Sequence, residues 1–133
     1  MKKEREVDLK EIAELIEESK RIVSMVPSDA NESLLPTTYH VRTKLWEWAS
    51  DLDFNMSNLE IEIAQLESNE IERLKWLGKP DTVVRHSKWN VAVDKKYDIV
   101  RFQLVKSRIL TQITILWHWI DTIKTELARQ ARL

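Results

Sequence analysis

The chain contains a single glycine, Gly78, in 133 residues. Folds that need glycine at left-handed turns or beside bound phosphate are therefore excluded, including dinucleotide-binding sheets, P-loops and most β-sandwiches. The sequence has no cysteine, which excludes disulfide frameworks and thiolate zinc sites. With 43% hydrophobic and 32% charged residues, the composition is typical of a folded protein. We therefore expect one all-α domain over residues 1–133.

The first predicted helix covers about residues 6–26. Leu9, Ile12 and Ile16 recur at the three- and four-residue spacing of one helical face. Acidic residues lie near its start and basic residues near its end, which matches the helix dipole. Pro27 is expected to end it.

The second predicted helix is long, from about residue 38 to residue 77. Its apolar row runs from Val41 to Leu77 at the 3.6-residue period of a straight helix rather than the 3.5 of a supercoil. Gly78 is expected at the C′ position just after its end. Ser, Asp and Asn crowd residues 50–58, so a break there, giving a four-helix bundle, is the alternative. We favour continuity because the apolar row keeps its phase.

An extended or hairpin-like connector is predicted for residues 79–94. This stretch is rich in β-branched side chains, and large apolar residues alternate from Trp89 to Val93. Asp94 is the expected N-cap of a third helix, over about residues 95–132.

The two long helices have similar lengths, so we expect them to pair antiparallel in a three-helix bundle. Trp46 would then lie near Trp117. The shorter first helix covers only that end, and the other end keeps an exposed apolar face suited to self-association or a partner. The residues expected on this face are Leu66, Leu74, Leu77, Ile99 and Phe102.

Charge is distributed unevenly along the chain. Residues 1–72 hold 8 basic and 17 acidic side chains, whereas residues 73–108 hold 10 basic and 3 acidic ones. A basic stretch with interleaved aromatic rings is typical of a surface that contacts nucleic-acid phosphates. The residues expected to make these contacts are Lys75, Lys79, Arg85, Lys88, Lys95 and Lys96 as cations and Trp89 as a stacking ring.

The leading functional hypothesis is a non-enzymatic, oligomeric helical protein that contacts nucleic acid without strong sequence preference, as an accessory, packaging or coat subunit does. The alternative is a protein-interaction subunit or adaptor that uses the uncovered apolar face. His40, His86 and His118 lack the spacing of metal ligands, so we expect no metal, cofactor or catalytic residue. No apolar run is long enough to span a membrane and no signal region is evident, which favours a cytoplasmic location.

Overall fold

The computed structural model describes residues 6–133. All of its regular structure in this range is helical, which confirms the all-α prediction. The helices are α1 (Leu9–Val23), α2 (Leu34–Trp76), α3 (Asp81–Asn90) and α4 (Val93–Ala131), with a 3₁₀ turn (Pro27–Asp29) after α1. The predicted count of three helices was wrong, because α3 lies where we expected the connector.

The described chain divides into two compact units. The terminal unit consists of residues 6–51 and 105–133, and the central unit of residues 52–104. Each unit contains one part of α2 and one part of α4. The terminal unit also contains all of α1, and the central unit all of α3.

The start of α1 is set by Asp8. Its carboxylate accepts hydrogen bonds from the backbone N–H groups of Lys10 and Glu11, both at 3.1 Å, so the helix begins at Leu9 rather than near residue 6. Its buried face is rotated from the predicted row of Leu9, Ile12 and Ile16. The buried residues of α1 are Ile12, Leu15, Ser19 and Ile22.

In the terminal unit, α1 and the adjoining parts of α2 and α4 enclose an apolar core. Its buried residues from α2 and α4 include Val41, Leu45, Ala49, Ile109, Leu116, Ile120 and Ile123. The Arg42 guanidinium stacks on the rings of Tyr39 and Trp117 at 5.0 and 4.9 Å, and Lys124 also lies over Tyr39. The earlier residue of α2, Tyr39, contacts the later residue of α4, Lys124, and Arg42 contacts Trp117. The two helices are therefore antiparallel here. Trp46 and Trp117 line one cavity, as predicted.

No break interrupts α2 at residues 50–58, so the alternative of a split second helix was wrong. The helix begins earlier than predicted, at Leu34, because Pro36 falls in the first turn, where the missing N–H has no cost. It ends in a Schellman turn. Gly78, at φ +68°, donates to Lys75 O and Lys79 donates to Leu74 O.

The connector predicted as extended over residues 79–94 is helical from Asp81 to Asn90. The N–H groups of Val83 and Val84 both donate to the carbonyl of Pro80, and Asp81 lies in the first turn, where the helix dipole favours an acid. The cost of β-branched residues in a helix is only a few tenths of a kcal/mol each. Helix-start signals and contacts with α2 therefore outweigh the β propensity.

The start of α4 also differs from the prediction. The helix begins at Val93, so Asp94 lies in its first turn instead of capping it. Residues 91–92 form the turn between α3 and α4, and the φ of Ala92, 56°, lies in the left-handed region.

Candidate interaction surfaces of the central unit

All twelve residues predicted to bind nucleic acid or a partner lie in the central unit. The structure gives them different environments. Some of the cations are neutralised by carboxylates of the same unit, others line a cavity, and the apolar residues range from buried to exposed.

Within residues 52–104, four cations of the basic stretch form ion pairs. Lys95 pairs with Glu62 at 2.7 Å and Lys96 with Glu67 at 2.9 Å. The other two pairs lie within single helices, Arg73 with Glu70 at 2.7 Å and Arg101 with Asp98 at 3.8 Å. Two of the six predicted phosphate ligands, Lys95 and Lys96, are thus already matched by acids of α2.

The net charge of the central unit also differs from that of the linear segment. Residues 52–104 contain eight Lys and Arg against nine Asp and Glu, a net charge of −1. Within this unit the basic stretch is offset by acids, because the acidic part of α2 folds beside it.

A smaller basic site remains around α3. Arg85, Lys88, Trp89 and Lys96 line one cavity of about 400 Å³ together with Glu67. The α3 residues share a face because they are three and four positions apart. The Trp89 ring is 80% exposed. Four of the seven predicted nucleic-acid ligands are therefore brought together, whereas Lys75, Lys79 and Lys95 do not line this cavity.

The remaining predicted cations have exposed side chains. Lys75 and Lys79 flank Gly78 at the end of α2, and Arg85 and Lys88 lie on α3. None of these four forms an ion pair with a carboxylate of residues 6–133.

The predicted apolar face is only partly exposed. Leu74 is buried, with 4% of its surface accessible, so its assignment to an exposed face was wrong. The hydrogen bond from Ser87 Oγ to Glu70 Oε1, 2.8 Å, brings α3 against α2 one turn before Leu74. Leu66 and Leu77 are exposed, while Ile99 and Phe102 are half-buried.

Glu70 accepts two hydrogen bonds from the Arg73 guanidinium, at 2.7 and 3.1 Å, in addition to the one from Ser87. Hydrogen bonds to the ionised form stabilise it, chiefly those from Arg73 and then that from Ser87. They lower the pKa of the Glu70 carboxyl to about 2. Glu70 therefore stays charged at all ordinary pH values and links α3 to the end of α2.

A large groove runs along α2 in this unit, and sequence reasoning missed it. Its volume is about 920 Å³. Phe54, Ile61 and Leu66 form its apolar surface, and Ile61 is 62% exposed. The polar residues that line it are Asp53, Ser57, Asn58, Glu62, Gln65 and Lys95. The available signal was Ile61 itself, which lies between the buried Leu59 and Ile63 and so points to the opposite face of the helix.

A second apolar surface lies on α4 and was also missed. Val93, Tyr97, Val100 and Leu104 are each between 53% and 65% exposed. Their spacing of four, three and four residues is that of a coiled-coil seam. The apolar row predicted for α4 lies on the opposite face of the helix and continues into the buried Ile109.

Among residues 6–133, no three histidine or acidic side chains are grouped closely enough to hold a metal ion. Within the same range, no helix combines the length and apolar character needed to cross a lipid bilayer. The chain matches no protein-family model, no curated protein sequence and no solved structure.

Proposed function

We propose that the chain is a non-enzymatic protein-interaction subunit, and that the groove on α2 receives an amphipathic helix of a partner protein. The observation that carries this proposal is the apolar surface of Phe54, Ile61 and Leu66 within an open groove of about 920 Å³. An open groove with apolar walls bordered by polar residues is the kind of surface that receives an amphipathic helix. A helix in such a groove places side chains three and four residues apart against the apolar surface.

The charge of α2 defines the partner further. Between residues 52 and 76 the helix has six acidic and two basic side chains. Three of these acids, Glu62, Glu67 and Glu70, are already paired with cations of the same unit. Glu60, next to Ile61 in the sequence, is exposed and forms no ion pair within residues 6–133. We therefore expect lysines or arginines beside the apolar face of the partner helix, because complementary charge speeds association and selects against wrong partners.

Two synthetic helical peptides test this function. Both carry leucines at three- and four-residue spacing, one flanked by lysines and the other by glutamates. The lysine peptide is expected to bind measurably tighter in fluorescence anisotropy, with the difference shrinking at high salt. Ile61→Glu should weaken its binding by about tenfold or more. Ile115→Glu, an equivalent change at an exposed residue of the terminal unit, should leave binding unchanged. Equal affinity for both peptides, or no effect of Ile61→Glu, would refute the proposal.

Nucleic-acid binding is the second candidate, favoured by the cavity that Arg85, Lys88 and Lys96 share with the exposed ring of Trp89. The ion pairs of Lys95 and Lys96 reduce the expected phosphate contacts from six to about four, made by Lys75, Lys79, Arg85 and Lys88. Four contacts predict that affinity falls by about a hundredfold between 50 and 200 mM salt.

Mobility-shift titrations with single- and double-stranded DNA and RNA at those two salt concentrations test the second candidate. The double variant Arg85→Glu, Lys88→Glu should abolish binding, and Trp89→Ala should weaken binding to single strands selectively. Arg132→Glu, at an exposed cation of the terminal unit, is the control and should have little effect. Affinity that does not change with salt would remove this candidate.

A further inference from the structure

We propose that the central unit pairs with a second copy of this chain through the exposed stripe on α4, with the two helices antiparallel. The stripe consists of Val93, Tyr97, Val100 and Leu104, each more than half exposed. It is distinct from the groove on α2, so the pairing does not depend on the groove's partner. No residue of the stripe lines that groove.

The spacing of the stripe specifies how two such helices meet. Steps of four, three and four residues assign Val93 and Val100 to d positions and Tyr97 and Leu104 to a positions of a heptad. In an antiparallel pair, a residues pack against d residues. Tyr97 of each copy then meets Val100 of the other, and Val93 meets Leu104. All four layers are apolar, and large side chains face smaller ones.

The charged residues beside the stripe favour a second copy in this orientation. Asp94 and Arg101 occupy the e positions, and e positions face each other across an antiparallel pair. Asp94 of each copy therefore lies beside Arg101 of the other, which forms two symmetric ion pairs. A parallel pair would instead bring Lys96, at a g position, beside Arg101 of the other copy, two like charges. The charges of the two copies therefore attract each other in the antiparallel pair and repel each other in the parallel pair.

Both charges are available for these contacts. Asp94 is exposed and forms no ion pair within residues 6–133. Arg101 has only a long, exposed ion pair with Asp98, at 3.8 Å. An exposed pair of this kind contributes little to stability, so its exchange for a contact with the second copy costs little.

The size of the stripe sets the expected strength of the pairing. Each copy contributes four apolar side chains and two charged ones to the pairing. A standard stable interface has about 20–30 residues on each side. The pairing is therefore expected to be reversible, with a dissociation constant in the micromolar range, and to be seen as a mass that changes with concentration.

Sedimentation of the purified chain over a dilution series measures the dissociation constant of the pair. Variants that exchange the charges of Asp94 and Arg101 test its orientation. Asp94→Arg and Arg101→Asp should each raise the dissociation constant by about tenfold, since each replaces two attractions with two repulsions. The double variant restores opposite charges and should return the constant to near the wild-type value. Val100→Glu should abolish association, whereas Ile115→Glu, on α4 outside the stripe, should not. A monomer at every concentration, or a double variant no better than the single variants, would overturn the proposal.

Disulfide trapping tests the orientation, because the chain has no cysteine of its own. Under mild oxidation, a mixture of Val93→Cys and Leu104→Cys chains should form mainly mixed disulfides, since these two residues meet in the antiparallel pair. Each variant alone should cross-link poorly. Efficient cross-linking of Val93→Cys with itself would indicate a parallel pair and contradict the inference. Circular dichroism of every variant establishes that the helices are retained.

Discussion

Ser87 on α3 donates its hydroxyl to Oε1 of Glu70 on α2 over 2.8 Å, and Arg73 donates to both oxygens of the same carboxylate. One acid thus joins two helices that a Schellman turn separates in the chain. This arrangement holds α3 against the last turns of α2 and lowers the pKa of the Glu70 carboxyl.

The low pKa of Glu70 makes the stability of the fold depend on pH. The pKa is about 2 in the folded chain and about 4.5 when unfolded, so the contribution is fully present above pH 4.5 and is lost as the pH falls toward 2. In urea titrations, Glu70→Gln should unfold at lower urea than wild type at pH 6. The difference should shrink as the pH falls to 2. A difference between the two proteins that does not vary with pH would contradict this prediction.

Leu74 and Leu66 should respond differently to truncation. Leu74 is buried, so Leu74→Ala removes packed methyl groups and leaves a cavity, at a cost of about 2–4 kcal/mol in the free energy of unfolding. Leu66 is exposed, and Leu66→Ala should cost less than about 1 kcal/mol. Equal losses measured by thermal unfolding would show that Leu74 is not part of the core.

The core of the terminal unit contains a polar pair. Ser19 Oγ donates to Gln112 Oε1 over 3.0 Å, and both side chains are buried. Ser19→Ala leaves the Gln112 carbonyl without this donor and should cost about 1–3 kcal/mol. The double variant Ser19→Ala, Gln112→Leu should lose less than the sum of the two single changes, because it removes both buried polar groups. Strictly additive losses would indicate that the two side chains are not coupled.

Ala92 adopts a backbone conformation that suits glycine. Its φ of 56° costs a residue with a β-carbon about 1 kcal/mol, so Ala92→Gly should stabilise the chain by up to about that amount. The matched control is Ala64→Gly, an exposed position inside α2, which should destabilise by about 0.5–1 kcal/mol. A higher urea midpoint for Ala92→Gly and a lower one for Ala64→Gly would support the left-handed turn at Ala92. Destabilisation in both variants would count against it.

The sequence alone determined the features that depend on local chemistry. One glycine in 133 residues excluded most sheet folds, and the periodic row from Val41 onward identified a continuous α2. Gly78 marked its end, since a Schellman turn needs a residue that tolerates positive φ.

Only the tertiary structure decided the conformation of residues 81–90 and the state of the charges. The β propensity of residues 81–90 is weak, and the tertiary contact of Ser87 with Glu70 favours the helix instead. No local sequence pattern reveals that contact. A count of charges along the chain likewise overlooks Glu62 and Glu67, more than 25 residues before the lysines that they neutralise. Electrostatic energy depends on distance in space, so the same ten cations form a basic surface or a set of ion pairs according to how α2 and α4 pack.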